Sequence, residues 1–261
     1  PKELELLKQW IKEGARYDDP WTYKNPLKHP APVVQTKDWP VNFIDYFILS
    51  QLEKVALSPS PDTDPVTLLR RLNFDLTGLP PTPADRDRFL SSFKTNPQMA
   101  IEAEVDRLLK SPHFGERLAS YWLDLVRYAD TVGYHGDQDH NISPYRDYVI
   151  RAFNENMPFD RFTREQLAGD LLPHPTQQQL VATGYNRLLQ TTHEGGLQQA
   201  EYRAIYQADR VRNVSAVWMG ATVGCAQCHD HKYDPYTAKD FHTLGAFFAD
   251  IDDEQHFKSG T

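Results

Sequence analysis

Apolar residues recur along this chain at intervals of three and four, the spacing of helix faces, and the pattern holds almost from end to end. Residues 2–15 set Leu4, Leu7 and Ile11 on one stripe, with Trp10 one turn after Leu6, and stop at Gly14. Such a stripe must be buried on something, and the next stretch is a poor partner. Residues 18–40 hold Pro20, Pro26, Pro30, Pro32 and Pro40 with few aliphatics, as an extended linker does. The division expected is therefore a closing helix of a preceding module over residues 1–17, a Pro-rich linker over 18–40, and one domain over 41–261.

From Val41 the helical spacing continues. Residues 41–57 carry Phe43, Ile44, Phe47, Ile48 and Leu52, and 64–75 carry Leu68, Leu69 and Leu72 before Gly78-Leu79-Pro80-Pro81 ends that run. Thr82 before Pro83 is placed to cap the helix that follows. Further helices are predicted at 97–110, 113–131, 144–155, 159–170, 176–190, 197–220 and 237–250. There is no sustained alternation of period two and no Asn-Gly or Asp-Gly hairpin between strands, so the fold class is mainly α. The expected form is an irregular multi-helix domain with long loops.

Charge narrows the partners. A net charge of −8 and a pI near 5.7 give no basic footprint for nucleic acid or anionic lipid. The apolar runs fall well short of a membrane span, and no signal peptide is visible in these residues.

Both cysteines lie in Cys225-Ala226-Gln227-Cys228-His229, and C-x-x-C-H is the spacing for covalent attachment of a c-type haem. Two thiols three residues apart can bond the two vinyl groups of a porphyrin, while the adjoining imidazole turns under the ring to the iron. Cys225 and Cys228 are the expected anchors and His229 the proximal ligand of one covalent haem c. Zinc on Cys225, Cys228, His229 and His231 is the main rival, although zinc sites usually draw a second ligand pair from a distant loop. A redox dithiol or disulfide is another reading, but the segment before Cys225 reads as a long helix rather than a thioredoxin-like strand and helix.

The remaining candidates are arranged around that motif. Arg210 and Arg212, beside Asp209 in an apolar helix, would bind haem propionates or pair with acids. His193 is the first choice as distal iron ligand, ahead of His135, His140 and His242, and Met219 is expected to pack in the core. His193, Glu194, His231 and Asp234 are the candidate catalytic proton handlers. Asp137-x-Asp139-x-Asn141 imitates the opening of a calcium loop, but Ile142 stands where the glycine should be, so only an irregular calcium site near Asp137 and Asp139 is expected.

Several stretches in order carry a family resemblance: Leu69-Arg70-Arg71-Leu72 with Asp75 to Pro81, Trp122-Leu123-Asp124 with Arg127 to Asp130, Pro158-Phe159-Asp160, Glu165 to Pro173, Glu194-Gly195-Gly196, Asp209-Arg210-Val211, and Cys225 to Pro235. Through these the chain resembles the planctomycete cytochrome c family, large bacterial proteins in which a cytochrome c module precedes a haem-motif domain of unknown function and another domain follows. The resemblance implies haem, an export compartment, and the upstream and downstream modules as partners. It implies no reaction. Haem thioethers in bacteria are made outside the cytoplasm, so the motif also points to the periplasm or another extracytoplasmic site. The function expected is a redox haem protein, either passing electrons to the upstream cytochrome c module or acting as a haem-dependent oxidoreductase. A haem enzyme with an open distal face, acting on a small molecule or carbohydrate, and a binding module with a structural haem are the alternatives.

Overall fold

The computed structural model describes residues 2–16, 21–134, 137–192 and 196–252. Among these the fold is mainly helical, with eleven α-helices and no strand, apart from one isolated antiparallel bridge between Thr131 and Asp139. The chain divides into two compact units, residues 1–62 and 63–261.

The first unit holds α1 (Lys2–Lys12) and α2 (Phe43–Lys54). None of the residues of α1 is buried. Asn42 caps α2 by accepting from the amides of Ile44 and Asp45, and Asp45 returns the bond to the Asn42 amide, so this helix start is fixed from both sides. Glu53 gathers the segment before α2 by accepting from the amides of Gln35 and Thr36, each at 3.0 Å.

The second unit opens with α3 (Pro65–Thr77), α4 (Pro83–Thr95), α5 (Pro97–Leu109) and α6 (Pro112–Leu125). Each begins the same way: Asp64, Thr82, Asn96 or Ser111 accepts from a first-turn amide, and a proline follows whose missing N–H costs nothing there. Leu69, Phe89 and Ala100 bring α3, α4 and α5 together over a small core. Then come α7 (Ser143–Asn154), α8 (Phe159–Ala168), α9 (Gln177–Ala182), α10 (Gln199–Met219) and α11 (Ala238–Ala246). These and α6 surround the larger core, in which Trp122, Tyr145, Tyr148, Phe162 and Val211 are buried.

Two features decide how the larger core closes. At Gly115 a Cβ would stand 2.3 Å from the Ile150 carbonyl, so only glycine lets α6 approach α7 this closely. Asn154 rivets that approach, accepting from the Gly115 amide at 2.8 Å and donating to the Pro112 carbonyl at 3.1 Å. Deeper in, Gln166 accepts from Trp122 Nε1 and Tyr145 Oη and donates to the Phe162 carbonyl, so a buried amide is satisfied on both ends. Its neighbour Glu165, 2 % exposed, takes bonds from Tyr148, Arg161 and Gln179. Burial works against its charge, but those donors outweigh it and hold the carboxyl below the usual range.

Candidate functional site

The helix α10 ends at Gly220, which takes φ +58, a left-handed corner that a side chain resists. The Ala221 amide closes the corner on the Ser215 carbonyl at 3.0 Å. The chain then enters a 3-10 turn, Val223–Gln227, seated between α10 and α11. Val223 and Ala226 are buried in the larger core at 2 % and 0 % exposure, and they fasten the turn. With three residues per turn, positions three apart share a face. Burying 223 and 226 therefore leaves Cys225 and Cys228 together on the outside, and both are exposed free thiols.

The surroundings of the thiols are polar. Arg212 of α10 lays its stem along Gly224, whose Cβ would come 3.1 Å from Arg212 Cγ, and its guanidinium donates to Gln227 Oε1. His229 is exposed, and its Nδ1 lies 2.8 Å from the Asp230 carbonyl. A carbonyl only accepts, so Nδ1 carries the proton, and in the neutral ring Nε2 is left with an open lone pair.

His231 is used differently. Its Nδ1 accepts from the amides of Asp234 at 2.8 Å and Tyr233 at 3.2 Å, while its own amide donates to the Tyr236 carbonyl. An Nδ1 that accepts cannot also be protonated, so the Asp234 carboxylate, 3.6 Å away, makes no hydrogen bond to it. Asp230 Oδ1 accepts from the Ala238 amide. The segment from Asp230 to Ala238 is thus a loop tied by its own side chains, with His231 as its staple.

Of the residues expected at the site, the structure brings Arg212, Cys225, Cys228 and His229 together and places His231 and Asp234 in the adjoining loop. Arg210 is not among them. It is buried, with Nε donating to the Asn186 carbonyl at 3.1 Å. Asp209, the acid expected to pair with Arg210, instead meets Arg127 through two bonds of 2.7 Å. Met219 is 48 % exposed rather than packed in the core, because α10 stops at the next residue. His140 lies in a separate pocket and His242 is exposed on α11. His135, His193 and Glu194 lie outside the described residues.

The cofactor expectations are corrected by this geometry. Among the described residues no three side chains of His, Cys, Asp and Glu converge to hold a metal ion. Near the expected calcium site, Asp137 gives its carboxylate to the Gly133 amide at 2.8 Å, and Asp139 joins the backbone bridge to Thr131. That loop is closed on itself rather than open to an ion wanting six or more oxygens. At the C-x-x-C-H segment both thiols face solvent on a turn bordered by Arg212, Gln227 and Asp230. No set of metal ligands converges at this segment among the described residues. The covalent haem c, with its iron bond at His229, and the calcium site are therefore corrected, and Arg210 is spent on the Asn186 carbonyl.

A family model described as PSCyt2, protein of unknown function (DUF1549), matches residues 43–253. The chain belongs to the PSCyt2 family. The match includes α2 to α11 and the whole thiol turn, and it brings no cytochrome c module with it. No curated protein and no solved structure matches this PSCyt2 chain. No helix among the described residues is long and apolar enough to cross a membrane.

Proposed function

We propose that the chain is an extracytoplasmic redox protein whose working group is the Cys225–Cys228 pair, cycling between dithiol and disulfide. The observation that carries this is the seating of Val223 and Ala226 in the core, which leaves Cys225 and Cys228, three residues apart, both exposed as free thiols. The partner is a disulfide, on a protein or a small molecule. One cysteine attacks as thiolate and breaks the partner's S–S bond, forming a mixed disulfide. The second cysteine displaces the partner, so two electrons and two protons leave the chain and the partner departs as a dithiol. The open Nε2 of His229, next to Cys228, is a base for one of those protons.

A compartment outside the cytoplasm supports such a cycle, because disulfides persist there. The resemblance to planctomycete cytochrome c proteins supports the same location and a preceding cytochrome c module. The exposed Leu4, Leu7 and Ile11 of α1 supply an apolar face for that module.

The test is equilibration in glutathione buffers, alkylation and intact mass. Both thiols should become unreactive together, with the chain lighter by two hydrogens, at a potential between about −120 and −270 mV. Cys228→Ser should instead accumulate a mixed disulfide with glutathione. Two thiols that stay alkylatable across the range, or that bridge only between molecules, would overturn the reading.

A further inference from the structure

The thiol turn carries a cation that the redox cycle has not used. Arg210, Val211, Asn213 and Val214 of α10 are buried, and Arg212 between them is exposed. Its stem lies against Gly224, with Cδ 3.4 Å and Nε 3.5 Å from the place a Gly224 Cβ would take, and its Nη2 donates to Gln227 Oε1. Gly224 and Gln227 are the residues just before Cys225 and Cys228. Adjacent Cα atoms stand about 3.8 Å apart, so the guanidinium touches the chain one step from each sulfur-bearing residue.

What holds Arg212 is neutral. Among the described residues its guanidinium bonds to Gln227 and makes no ion pair. The acids on the neighbouring segments serve other donors: Asp209 takes two bonds from Arg127, Asp230 the Ala238 amide, and Asp240 the Thr237 amide and hydroxyl. A guanidinium has five N–H donors in a planar fork, so most of that fork stays open to a further acceptor. The chain as a whole is acidic, at −8. This cation therefore runs against the overall charge, beside the two exposed thiols.

We propose that Arg212 docks a carboxylate of the thiols' reaction partner, so that the turn selects small disulfides carrying that anion close to the sulfur. The assignment rests on the dithiol–disulfide cycle for its natural reaction. With the carboxylate on the guanidinium, one cysteine attacks as thiolate at the partner's S–S bond, and the first half of the partner leaves and takes up one proton. The other cysteine then displaces the second half, which takes up the other proton. The chain ends as a disulfide, the partner as two thiols, and two electrons pass from the chain to the partner. Arg212 is the specificity residue of this step, since it holds the carboxylate and not the reacting sulfur.

Rates of alkylation of the reduced full chain by iodoacetate and iodoacetamide, and of its oxidation by dithiodipropionate and hydroxyethyl disulfide, test this. In each pair the first reagent is anionic and the second neutral. At about 0.01 M salt, where the Debye length is about 30 Å, the anionic-over-neutral ratio should fall about threefold from the parent in Arg212→Gln and return in Arg212→Lys. Gln227→Glu leaves the arginine in place and pairs it with a carboxylate, so the ratio should fall there too, which decides the matter if Arg212→Gln does not fold. Arg151→Gln changes the net charge equally, but on α7, where Arg151 donates to Gln178, and should keep the parent's ratio. At about 1 M salt, where the Debye length is about 3 Å, parent and variants should converge. A ratio unmoved by Arg212→Gln and Gln227→Glu, or moved as far by Arg151→Gln, overturns the assignment. The alkylating reagents need no disulfide, so the expected fall with them, while neither disulfide bridges the pair, upholds docking at Arg212 and removes the redox cycle alone.

Discussion

Glu104 is 3 % exposed, and it remains charged because Arg107, Arg88 and Asn73 all donate to it. Burial opposes that charge, and the three donors outweigh it. Asp85 shares the two arginines, at 2.8 Å to Arg88 and 3.6 Å to Arg107. Its carboxyl is held down to about 2, chiefly by the Thr82 hydroxyl, with Arg88 and Arg107 adding to this against a burial cost. A carboxyl lowered in the folded state stabilises the fold fully above its unfolded value near 4, and that stability goes as pH falls through the folded value. Asp85→Asn should therefore lower stability by about 1–2 kcal/mol at neutral pH and flatten the loss between pH 4 and 2. Urea melts of both proteins across that range measure this. Glu104–Arg107, Asp85–Arg88 and Thr82–Asp85 are each three residues apart and within reach of a sequence reading, but the longer partnerships are not: Asn73 is 31 residues from Glu104, and Arg127 is 82 from Asp209.

Helices themselves were legible, because their apolar spacing and proline-marked starts are local. Thr82 caps α4 as its position before Pro83 predicts. Their ends were less legible. The run predicted to 131 stops at Leu125, since Arg127 takes φ +61 to reach Asp209, and the run predicted over 176–190 becomes α9 followed by a 3-10 turn from Thr183. Polar residues also stand on the core side of α8. Glu165 and Gln166 occupy the core side, so polar residues stand where periodicity expects apolar ones. At this scale Gly115→Ala is the sharpest probe. Its methyl has no room beside the Ile150 carbonyl, so α6 and α7 must separate, at a cost of about 1–3 kcal/mol. Thermal melting should fall accordingly, while helicity by circular dichroism at 25 °C stays near that of the parent.

For the molecule as a whole, the division at residues 62 and 63 leaves the exposed segment 21–33 in the smaller unit, with Trp21 at 83 %, Leu27 at 75 % and Val33 at 96 % exposure. Brief chymotrypsin treatment should cut at Trp21 or Leu27 before any site in α3 to α11, which gel and mass analysis would show. First cuts inside the larger core would contradict this. The candidate site was legible in part. The C-x-x-C-H spacing marks two thiols and an imidazole as a group, but it carries no information on the lining around them. That lining depends on Val223 and Ala226 being the buried pair and on Arg212 arriving from α10. The haem expectation is overturned because no metal-ligand set converges among the described residues.

Along α10, Asp209 grips Arg127, Arg210 the Asn186 carbonyl, Arg212 the thiol turn through Gln227, and Asn213 both the Tyr185 hydroxyl and the Leu125 carbonyl. Within five consecutive positions the rod therefore has no idle side. Twisting it by a fraction of a turn would loosen every one of those grips at once. Substitutions there should trade off against one another rather than sum, and a sequence drifting at one of these positions would be forced to adjust the rest.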